Sequence, residues 1–505
     1  MKRWLIFAVA AALYLPTVRY EFVQDDRVIV ASNPAVHSLS LAVEGFARPY
    51  WPPPNEGGLY RPLTILSYAV DWWLGGGRPW LFHFLNALWH GLAAVLVVLV
   101  VARWLPEPAA LAAGLVFAVH PVHVEAVAGI VGRADLLAAV GTLGAVVSAR
   151  RGWWPAVVAC SGVAMLSKEH GVVVGLLVLI DDWLRPPGTR RYPAGLYLAL
   201  GVVTVGFLAL WAKIGTAAAA AVAPPFLGVG AGERLALALP AVARAARLLI
   251  WPIGLSADYG PQVIPVRAGI SLAAVAGAGI VAGVLALGWG CRHRWPALSF
   301  AALATVLCGL PTSNLLFASG VVLAERNLYV AVLCVAVVAG YAVARASLRW
   351  GSGWTSGVVA ALALALGTGS FTRLGAWRDN RAFLVTLLVD HPESYHAHES
   401  AAAVLAGMRD TAGARREYAQ AESLFNGDPH LSAAHALYLA GLGDTAAAGV
   451  LAARARAQLP RERVALRAQF LVALEQGDRT RAVALVDTAR VWYPWDRAWY
   501  EQYLQ

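Results

Sequence analysis

Long apolar runs separated by short polar segments dominate residues 1–375. Apolar helices of up to about 20 residues match the thickness of a bilayer. We therefore predict an all-α, polytopic membrane domain over residues 1–375, whose first helix is retained rather than cleaved as a signal peptide. The eleven predicted spans lie near residues 4–19, 81–102, 108–119, 134–149, 153–167, 170–184, 193–212, 269–289, 296–314, 327–345 and 353–372.

Basic residues beside the spans predict which side each loop faces. Lys2 and Arg3 precede the first span and indicate a cytoplasmic N-terminus. Residues 233–255 are also apolar, but Arg244 and Arg247 lie near their middle, where each would cost about 2.5–3.5 kcal/mol in a bilayer. We therefore predict an interfacial or re-entrant helix there. With eleven spans, the cytoplasmic side then receives the basic segments 149–153, 185–191, 291–295 and 345–351.

The opposite, outer face collects the polar segments that are not simply basic. A long first outer loop, residues 20–80, begins with the adjacent carboxylates Asp25 and Asp26. Ionisable groups at a membrane interface are costly and usually functional. This face is therefore where we look for a site. Its other candidate groups are Arg61, His83, His120, His123, Glu125, Arg133, Asp135, Lys168, Glu169, Asp258, Glu325 and Arg326.

Composition supports a membrane protein and narrows its chemistry. Hydrophobic residues make up 59% of the chain, charged residues 14%, and the mean hydropathy is +0.59, which excludes an ordinary soluble enzyme. The four cysteines have no CxxC spacing, and His120, His123 and Glu125 do not have the HExxH spacing, so we predict no metal site. No nucleotide-binding motif occurs, which favours a lipid-linked donor over a nucleotide sugar.

Residues 376–505 show a repeating sequence pattern instead of long apolar runs. A period of 34 residues there is typical of tetratricopeptide repeats, in which stacked helix pairs form a concave groove. We predict about three to four repeats that bind a peptide or partner protein, or alternatively act as a rigid cap on the membrane domain. The period appears in Asp410, Asp444 and Asp478, in Ala414, Ala448 and Ala482, and in Pro460 and Pro494.

Several linked motifs, in order over nearly the whole chain, resemble the TMTC (transmembrane and tetratricopeptide-repeat-containing) O-mannosyltransferases and their bacterial relatives. The resemblance implies a GT-C membrane fold, a polyprenyl- or dolichyl-phosphate sugar donor at the outer interface, no further cofactor, and transfer to a protein hydroxyl. The motifs are "FVQDDRVIVASNPAV", "YRPLTILSYAVDWWLGGGRPWLFHFLNALWH", "FAVHPVHVEAVAGIVGRADLL", "LSKEHG", "GLSADY" and "SNLLFASGVVLAERNLY".

The resemblance also implies roles for the acidic and basic residues. Asp25 or Asp26 stands where GT-C enzymes keep their catalytic carboxylate, and Asp25 is slightly favoured as the base. Transfer from a lipid phosphate needs a base for the acceptor hydroxyl and cations for the departing phosphate. Arg326 and Lys168 are the first candidates for phosphate binding, with Arg133 and Arg61 behind them; a neighbouring acid offers each an ion pair instead.

The remaining polar residues of the outer loops are predicted to shape the donor or acceptor pocket. They would do so through a hydrogen-bonded network rather than through a metal ion. The aromatic segments 50–54 and 71–73 are predicted to lie in the headgroup region, with sugar stacking as the alternative. The predicted pocket-shaping residues are His83, His120, His123, Glu125, Asp135, Glu169, Asp258 and Glu325.

The leading hypothesis is an inverting transferase of a hexose, mannose by resemblance, with its site and repeats on the periplasmic face of a bacterial inner membrane. Its partners would be the lipid-linked donor and an acceptor protein or peptide in the repeat groove, with no nucleic acid. Two alternatives stay open: a GT-C transferase that modifies a lipid or surface glycan, and a membrane scaffold without catalysis. Only the enzyme hypotheses require the two acids.

Overall fold

The computed structural model describes residues 2–53, 58–215, 222–265, 269 and 271–503. Helices form the architecture, and no β-strand occurs within these ranges. The all-α prediction is therefore confirmed for this part of the chain. Residues 54–57 of the first outer loop and residue 270 of the predicted span 269–289 lie outside it.

The helices up to residue 374 follow the predicted apolar segments closely. Each of the eleven segments contains an α-helix whose ends lie within a few residues of the prediction. Four further α-helices, α2, α3, α6 and α11, lie between these segments. In chain order the fifteen helices are α1 (Lys2–Tyr14), α2 (Leu39–Glu44), α3 (Pro62–Gly75), α4 (Pro79–Val101), α5 (Glu107–Val119), α6 (Val124–Ala128), α7 (Arg133–Arg150), α8 (Trp154–Ser167), α9 (Val174–Trp183), α10 (Ala194–Ile214), α11 (Ala231–Ile250), α12 (Leu272–Gly290), α13 (Pro296–Gly309), α14 (Val332–Trp350) and α15 (Ser352–Leu374).

Shorter helical turns connect these elements and carry many of the predicted site residues. Such 3₁₀ turns are common at the ends of α-helices. They are Leu15–Arg19, Gly45–Ala47, Pro121–His123, Ile130–Gly132, Glu169–Val173, Pro224–Phe226, Leu310–Thr312, Glu325–Leu328 and Gly375–Trp377, with a π-helical turn at Arg27–Ala31.

Six helical segments in the described residues are long and apolar enough to cross a bilayer: Pro79–Val101, Ile130–Arg150, Ala194–Ile214, Leu272–Gly290, Val332–Trp350 and Ser352–Trp377. A seventh span results if α5 and the segment Pro121–Ala128 are taken as one span bent by 49°. Pro121 accounts for this bend because proline cannot continue the hydrogen-bond ladder of a helix. The apolar segments Trp154–Ser167 and Pro296–Thr312 are shorter, and the count of eleven spans stays a prediction.

Helix α11 corresponds to the stretch predicted to be interfacial or re-entrant, and it is not one of the long apolar helices. Arg244 and Arg247 turn back onto the segment that follows it, donating to the carbonyls of Gly254 and Ile253 at 3.2 and 2.9 Å. On its other side α11 packs against α12. A Cβ added to Gly277 would lie only 2.0 Å from the Leu239 carbonyl oxygen, so this close approach requires glycine.

One buried carboxylate joins four helices at the end of the bundle that is predicted to be cytoplasmic. Asp181 on α9 is fully buried and accepts from Arg103 at 3.1 Å, from Arg150 at 2.6 Å and from the Tyr192 hydroxyl at 2.7 Å. Arg150 also donates to the Val100 carbonyl at the end of α4, at 2.6 Å. The basic residues here serve the packing of the bundle.

Beyond residue 375 the helices are shorter and follow each other in antiparallel pairs. Helices α17 and α18, α19 and α20, and α21 and α22 pack against each other as pairs. They are α16 (Asn380–Asp390), α17 (Tyr395–Gly407), α18 (Thr411–Leu424), α19 (Pro429–Gly441), α20 (Thr445–Gln458), α21 (Arg463–Glu475), α22 (Arg479–Trp492) and α23 (Arg497–Glu501), with a 3₁₀ turn at Pro494–Asp496.

The 34-residue period has a structural cause in the second helix of each pair. Asp410, Asp444 and Asp478 are the N-caps of α18, α20 and α22, and each accepts a backbone N–H three residues on. The periodic alanines are buried where the helices meet. These features agree with tetratricopeptide repeats, whose identity stays a proposal, as does the division of the chain at residue 375.

A stability prediction follows from the buried carboxylate of Asp181. Asp181→Ala leaves Arg103 and Arg150 without their partner in a buried position, which costs about 3–5 kcal/mol in comparable sites. We expect a large fall in the apparent Tm of the detergent-solubilised protein. Asp487→Ala is the matched control, because Asp487 forms an exposed pair with Arg490 and such pairs contribute about 0–1 kcal/mol. Equal Tm values for the two variants would contradict this role of Asp181.

Candidate functional site

The backbone ahead of the acidic pair turns sharply and separates the two carboxylates. Gln24 has a φ of 52°, in the left-handed region that a non-glycine residue rarely adopts. Its N–H donates to the Asn380 side-chain oxygen at 3.0 Å, a contact across 356 residues. After this turn Asp26 points into the protein, whereas Asp25 stays half-buried at the surface of the site. The two adjacent acids therefore have different environments.

Asp26 is an anchor inside the protein. Its carboxylate is only 1% exposed and accepts three backbone N–H groups, from Val23 at 3.2 Å, Ile130 at 3.3 Å and Val131 at 2.8 Å. Burial raises the pKa of Asp26 to about 7, while the three N–H donors lower it. Asp26 thus ties the first outer loop to the turn ahead of α7.

Asp25 has the properties of an available base. No described side chain or backbone group forms a hydrogen bond or ion pair with its carboxylate. It lies close enough to Arg326 for its negative charge to raise the pKa of that guanidinium. A half-buried carboxylate without a fixed partner can accept a proton from a substrate. The structure therefore favours Asp25 over Asp26 as the reactive member of the pair.

Arg326, in the turn Glu325–Leu328, is held by one carboxylate. Glu125 accepts the side chain of Arg326 with one oxygen and its backbone N–H, at 2.9 Å, with the other. Burial lowers the pKa of Arg326, but Glu125, Asp25 and Asp135 raise it more, so the net shift is upward. The side chain is 28% exposed, which leaves part of its guanidinium open to a ligand.

Lys168 is the deepest cation of the site. Its ammonium donates to Asp135 at 2.6 Å and to the side-chain oxygen of Asn327 at 2.9 Å, and its side chain is only 4% exposed. Burial lowers the pKa of Lys168, Asp135 raises it, and the nearby charges of Arg61 and Arg326 lower it further. Asn327 was missed by the sequence analysis, although it directly follows Arg326 in the same motif.

Arg61 completes the set of cations. Its guanidinium donates to both oxygens of Glu169, from Nε to Oε1 at 3.1 Å and from Nη2 to Oε2 at 2.8 Å, and it lies 5.0 Å from the Tyr50 ring centre. Burial raises the pKa of Glu169, but Arg61 lowers it more, so Glu169 is held ionised. Tyr50 lies in the aromatic segment 50–54, for which the sequence predicts a headgroup position or sugar stacking but not this contact with Arg61.

The structure therefore brings together three ion pairs, and Asp25 lies near the one that contains Arg326. Arg326 with Glu125, Lys168 with Asp135, and Arg61 with Glu169 each neutralise one cation, and each cation lies near enough to affect the pKa of another. Asp25 therefore lies near a cation, Arg326, whose position is already fixed by Glu125.

Arg133 lies apart from this set, at the start of α7. It is fully buried and donates to Asp71, to the Asn86 side-chain oxygen at 2.7 Å and to the Phe82 carbonyl at 2.7 Å. Its guanidinium thus holds α3 and α4 against α7. Phosphate binding by Arg133 stays a prediction. The contacts of Arg133 favour a different role, in which it stabilises the packing of α3, α4 and α7.

The predicted pocket-shaping histidines line the protein interior beside the site. His120 and His123 contact the backbone carbonyls of Leu249 and Tyr329, each through Nε2 at 3.1 Å, and His83 packs its ring against Tyr20. In the described ranges no three metal-ligating side chains converge. The histidines of this region therefore pack and orient the loops.

Asp258 and Glu325 face the second half of the chain. Asp258 accepts the Ser394 hydroxyl at 2.6 Å and contacts His396 at 3.2 Å, both at the start of α17. Glu325 accepts the Tyr259 hydroxyl at 2.6 Å, and burial raises the pKa of Glu325 to about 8. Asp258 therefore joins its outer loop to the repeat region, whereas Glu325 holds the same loop through Tyr259 and the Ser256 N–H.

An apolar cavity of about 550 Å³ opens beside the cations. Its walls come from α11, α12, α13 and α14, and Asn327, the partner of Lys168, forms part of its rim. Apolar side chains such as Ile280, Val284 and Leu328 line most of it. The site therefore combines a half-buried carboxylate, paired cations and a neighbouring apolar cavity whose lining includes the partner of Lys168.

Comparisons with known proteins agree with the motif resemblance. No family model matches the chain. It is 43% identical to the protein O-mannosyl-transferase Tmtc2 of Drosophila melanogaster, over 26% of this chain and 15% of that protein. It is 34% identical to the protein O-mannosyl-transferase TMTC3 of mouse, over 35% of this chain and 21% of that protein. It is 28% identical to mouse TMTC4 over 64% of this chain and 53% of that protein. The similarity to the TMTC proteins is thus confirmed, although the chain spans less than a quarter of the first two relatives.

One solved structure is similar along most of the chain. The crystal structure of ArnT from Cupriavidus metallidurans, bound to undecaprenyl phosphate, covers 97% of this chain and 79% of that one, at 16% sequence identity and a TM-score of 0.39. At this level of similarity it carries no argument about fold or ligand.

The raised pKa of Asp26 predicts a pH-dependent stability difference. Because this pKa is about 7 in the folded protein and 3.8 ordinarily, the folded state keeps a proton that the unfolded chain has released. The stabilisation is complete below 3.8 and is lost as the pH rises through about 7. Between pH 5 and pH 7 we expect the free energy of unfolding of Asp26→Asn to rise relative to that of wild type, by up to about 1.4 kcal/mol per pH unit. The Tm of the variant relative to wild type should rise over the same range and level off above it.

The matched control is Asp487→Asn, at an exposed position. Thermal unfolding of both variants and wild type is followed by intrinsic fluorescence at each pH. A Tm difference between Asp26→Asn and wild type that stays constant with pH would contradict the raised pKa.

Proposed function

We propose that this chain is an inverting glycosyltransferase that moves a hexose, mannose by similarity to its relatives, from a polyprenyl phosphate to a protein hydroxyl. The observation that carries the proposal is the half-buried Asp25, free of described partners, beside fixed cations at the rim of an apolar cavity. The mannosyltransferase names of the TMTC relatives support the reaction class.

The apolar cavity is proposed to hold the first isoprene units of the donor. A prenyl chain is apolar along its length and ends in a charged phosphate, and the mostly apolar lining of the cavity includes Asn327, the partner of Lys168. Arg326 and Lys168 lie next to this rim, where a phosphate would meet them. No nucleotide is needed, because the lipid supplies the activated sugar.

In the proposed step Asp25 accepts the proton of the acceptor hydroxyl. The hydroxyl oxygen forms a bond to the anomeric carbon from the face opposite the phosphate, and the bond from that carbon to the phosphate oxygen breaks. The electron pair leaves with the polyprenyl phosphate, whose charge rises from about −1 as a diester to nearly −2 as a monoester. The anomeric configuration is therefore inverted.

The cations act on the charge that grows on the leaving phosphate. Arg326 can bind it through two parallel hydrogen bonds, and Lys168 contributes a point charge. Because Glu125 and Asp135 hold these groups in place before the donor binds, little reorganisation is needed during the reaction. Arg61 and Glu169 support the same region from the first outer loop.

The proposal also includes the side of the membrane on which the reaction takes place and the role of the repeats. The site and the repeats lie on the extracytoplasmic side of the membrane, and the repeats present the acceptor protein. Contacts of Asp258 with α17 and of Asn380 with Gln24 support this arrangement, because they join the repeats to the loops of the site. The experiments below distinguish a protein acceptor from a lipid or surface glycan acceptor.

The first test is sugar transfer in nanodiscs. Polyprenyl-phosphate mannose with a radiolabel in the sugar is mixed with envelope proteins and with wild type or Asp25→Asn. We expect the variant to lose at least about 10²-fold in rate, since a positioned general base contributes about 10²–10⁴-fold. Glu21→Gln is the matched control, because Glu21 is an exposed carboxylate on the same loop.

Equal rates for Asp25→Asn and wild type would overturn the proposed base. Label that enters lipid or glycan instead of protein would keep the transferase and change the acceptor. No transfer by folded wild type, with the donor intact, would favour the scaffold hypothesis.

A second test addresses the leaving group. Arg326→Lys keeps the charge but loses the paired hydrogen bonds, and Arg326→Gln loses both. We expect kcat to fall in the order wild type, Arg326→Lys, Arg326→Gln, by about 10-fold or more at the last step, with a smaller change in KM for the donor. Arg78→Gln makes the same charge change at an exposed position and should keep kcat. A change in KM alone would assign Arg326 to ground-state binding only.

A further inference from the structure

A second apolar groove lies at the far end of α14 from the proposed active site. It has a volume of about 460 Å³ and lies between α5, α14 and α15. Small side chains, among them Ala112, Ala339 and Ala342, form its floor. The turn Glu325–Leu328 precedes the N-terminus of α14, and this helix of 19 residues is about 28 Å long. The groove is therefore a separate site near the predicted cytoplasmic surface.

Two arginines stand at the rim of this groove without partners. Arg345 and Arg349 are one helical turn apart on α14, and both are exposed. Neither forms an ion pair or hydrogen bond with any described residue, and only the Trp350 ring lies near Arg349, at 5.9 Å. In contrast, Arg103 and Arg150 on the same predicted face are paired with Asp181. Arg345 and Arg349 are therefore available to an anion from outside the chain.

Two tryptophans mark the depth of the rim in the bilayer. Trp350 and Trp354 both line the groove and are 65% and 77% exposed. Exposed tryptophans at the end of a membrane helix lie at the headgroup level. The arginine side chains beside them therefore reach the phosphates, while the floor of the groove lies at the depth of the acyl chains. An occupant must be apolar below and anionic above.

We propose that this groove binds an anionic diacyl glycerophospholipid of the cytoplasmic leaflet, of the phosphatidylglycerol class. An acyl chain fills the space between α14 and α15, and Arg345 and Arg349 bind the headgroup phosphate through charge-assisted hydrogen bonds. A zwitterionic lipid fits less well, because its own amine already compensates the phosphate. The inference does not depend on the proposed transferase reaction.

The test is lipid binding to the full-length protein by native mass spectrometry. Delipidated protein is titrated with phosphatidylglycerol or with phosphatidylcholine of the same acyl chains. For wild type we expect one tightly retained phosphatidylglycerol, at a half-saturating concentration about tenfold below that of phosphatidylcholine. In Arg345→Gln with Arg349→Gln this preference should fall to near unity.

Two further variants separate the groove from general surface charge. Arg292→Gln with Arg294→Gln removes two arginines that lie beside Trp289 and Trp295, outside the groove, and should keep the preference. Ala342→Phe keeps both rim arginines but fills the groove, and should abolish tight retention. Both predictions hold only if the lipid occupies the groove itself.

Several outcomes would overturn the proposal. Equal retention of the two lipids by wild type would remove the charge selectivity. A preference that survives both the rim variant and Ala342→Phe would place the lipid elsewhere. Undecaprenyl phosphate that displaces phosphatidylglycerol from the groove would assign the site to a single prenyl chain instead of a diacyl lipid. Circular dichroism of each variant confirms that the helices are retained.

Discussion

The geometry of the candidate site depends on the hydrogen bonds of one buried carboxylate. Asp26 accepts backbone N–H groups from its own loop and from Ile130 and Val131, more than 100 residues away. These bonds fix the first outer loop against the turn that begins α7. Because Asp135 lies in the first turn of α7, the same anchor sets the distance between Asp25 and the Lys168 ion pair. The proposed base, Asp25, is thus positioned by the hydrogen bonds of its neighbour Asp26.

The three ion pairs of the site explain how cations can be held in fixed positions in a partly apolar environment. An isolated buried cation is costly, so Arg61, Lys168 and Arg326 each have a carboxylate in contact. The pairs are close to neutral as a set. A phosphate that gains charge during a reaction then meets groups that are already desolvated and oriented, which is the condition for strong electrostatic stabilisation. The buried Arg133 stabilises the helices behind them.

The sequence predicted the helices well, because apolar length and N-cap residues are local signals. It singles out the acidic pair, whose catalytic role stays a prediction, but the different environments of Asp25 and Asp26 depend on the left-handed Gln24 and on N–H donors from a distant turn. Arg133 is of a residue type that binds phosphate, so the sequence made it a candidate ligand. Its contacts with Asp71 and Asn86 come from distant parts of the chain and are visible only in the folded structure. The sequence alone could not show that Asp258 lies beside α17, because this contact joins residues more than 130 positions apart.

The contacts between those halves bear on how an acceptor would reach the site. Asn380, at the start of α16, receives the Gln24 N–H and donates to the Phe22 carbonyl at 3.4 Å. On the other side of the site, Asp258 pairs with His396; burial lowers the pKa of this histidine, but Asp258 raises it more, to about 9. The pair is therefore charged at neutral pH. The repeat region is fixed to both loops, so a bound acceptor would be presented at a set distance from Asp25 rather than on a flexible tether.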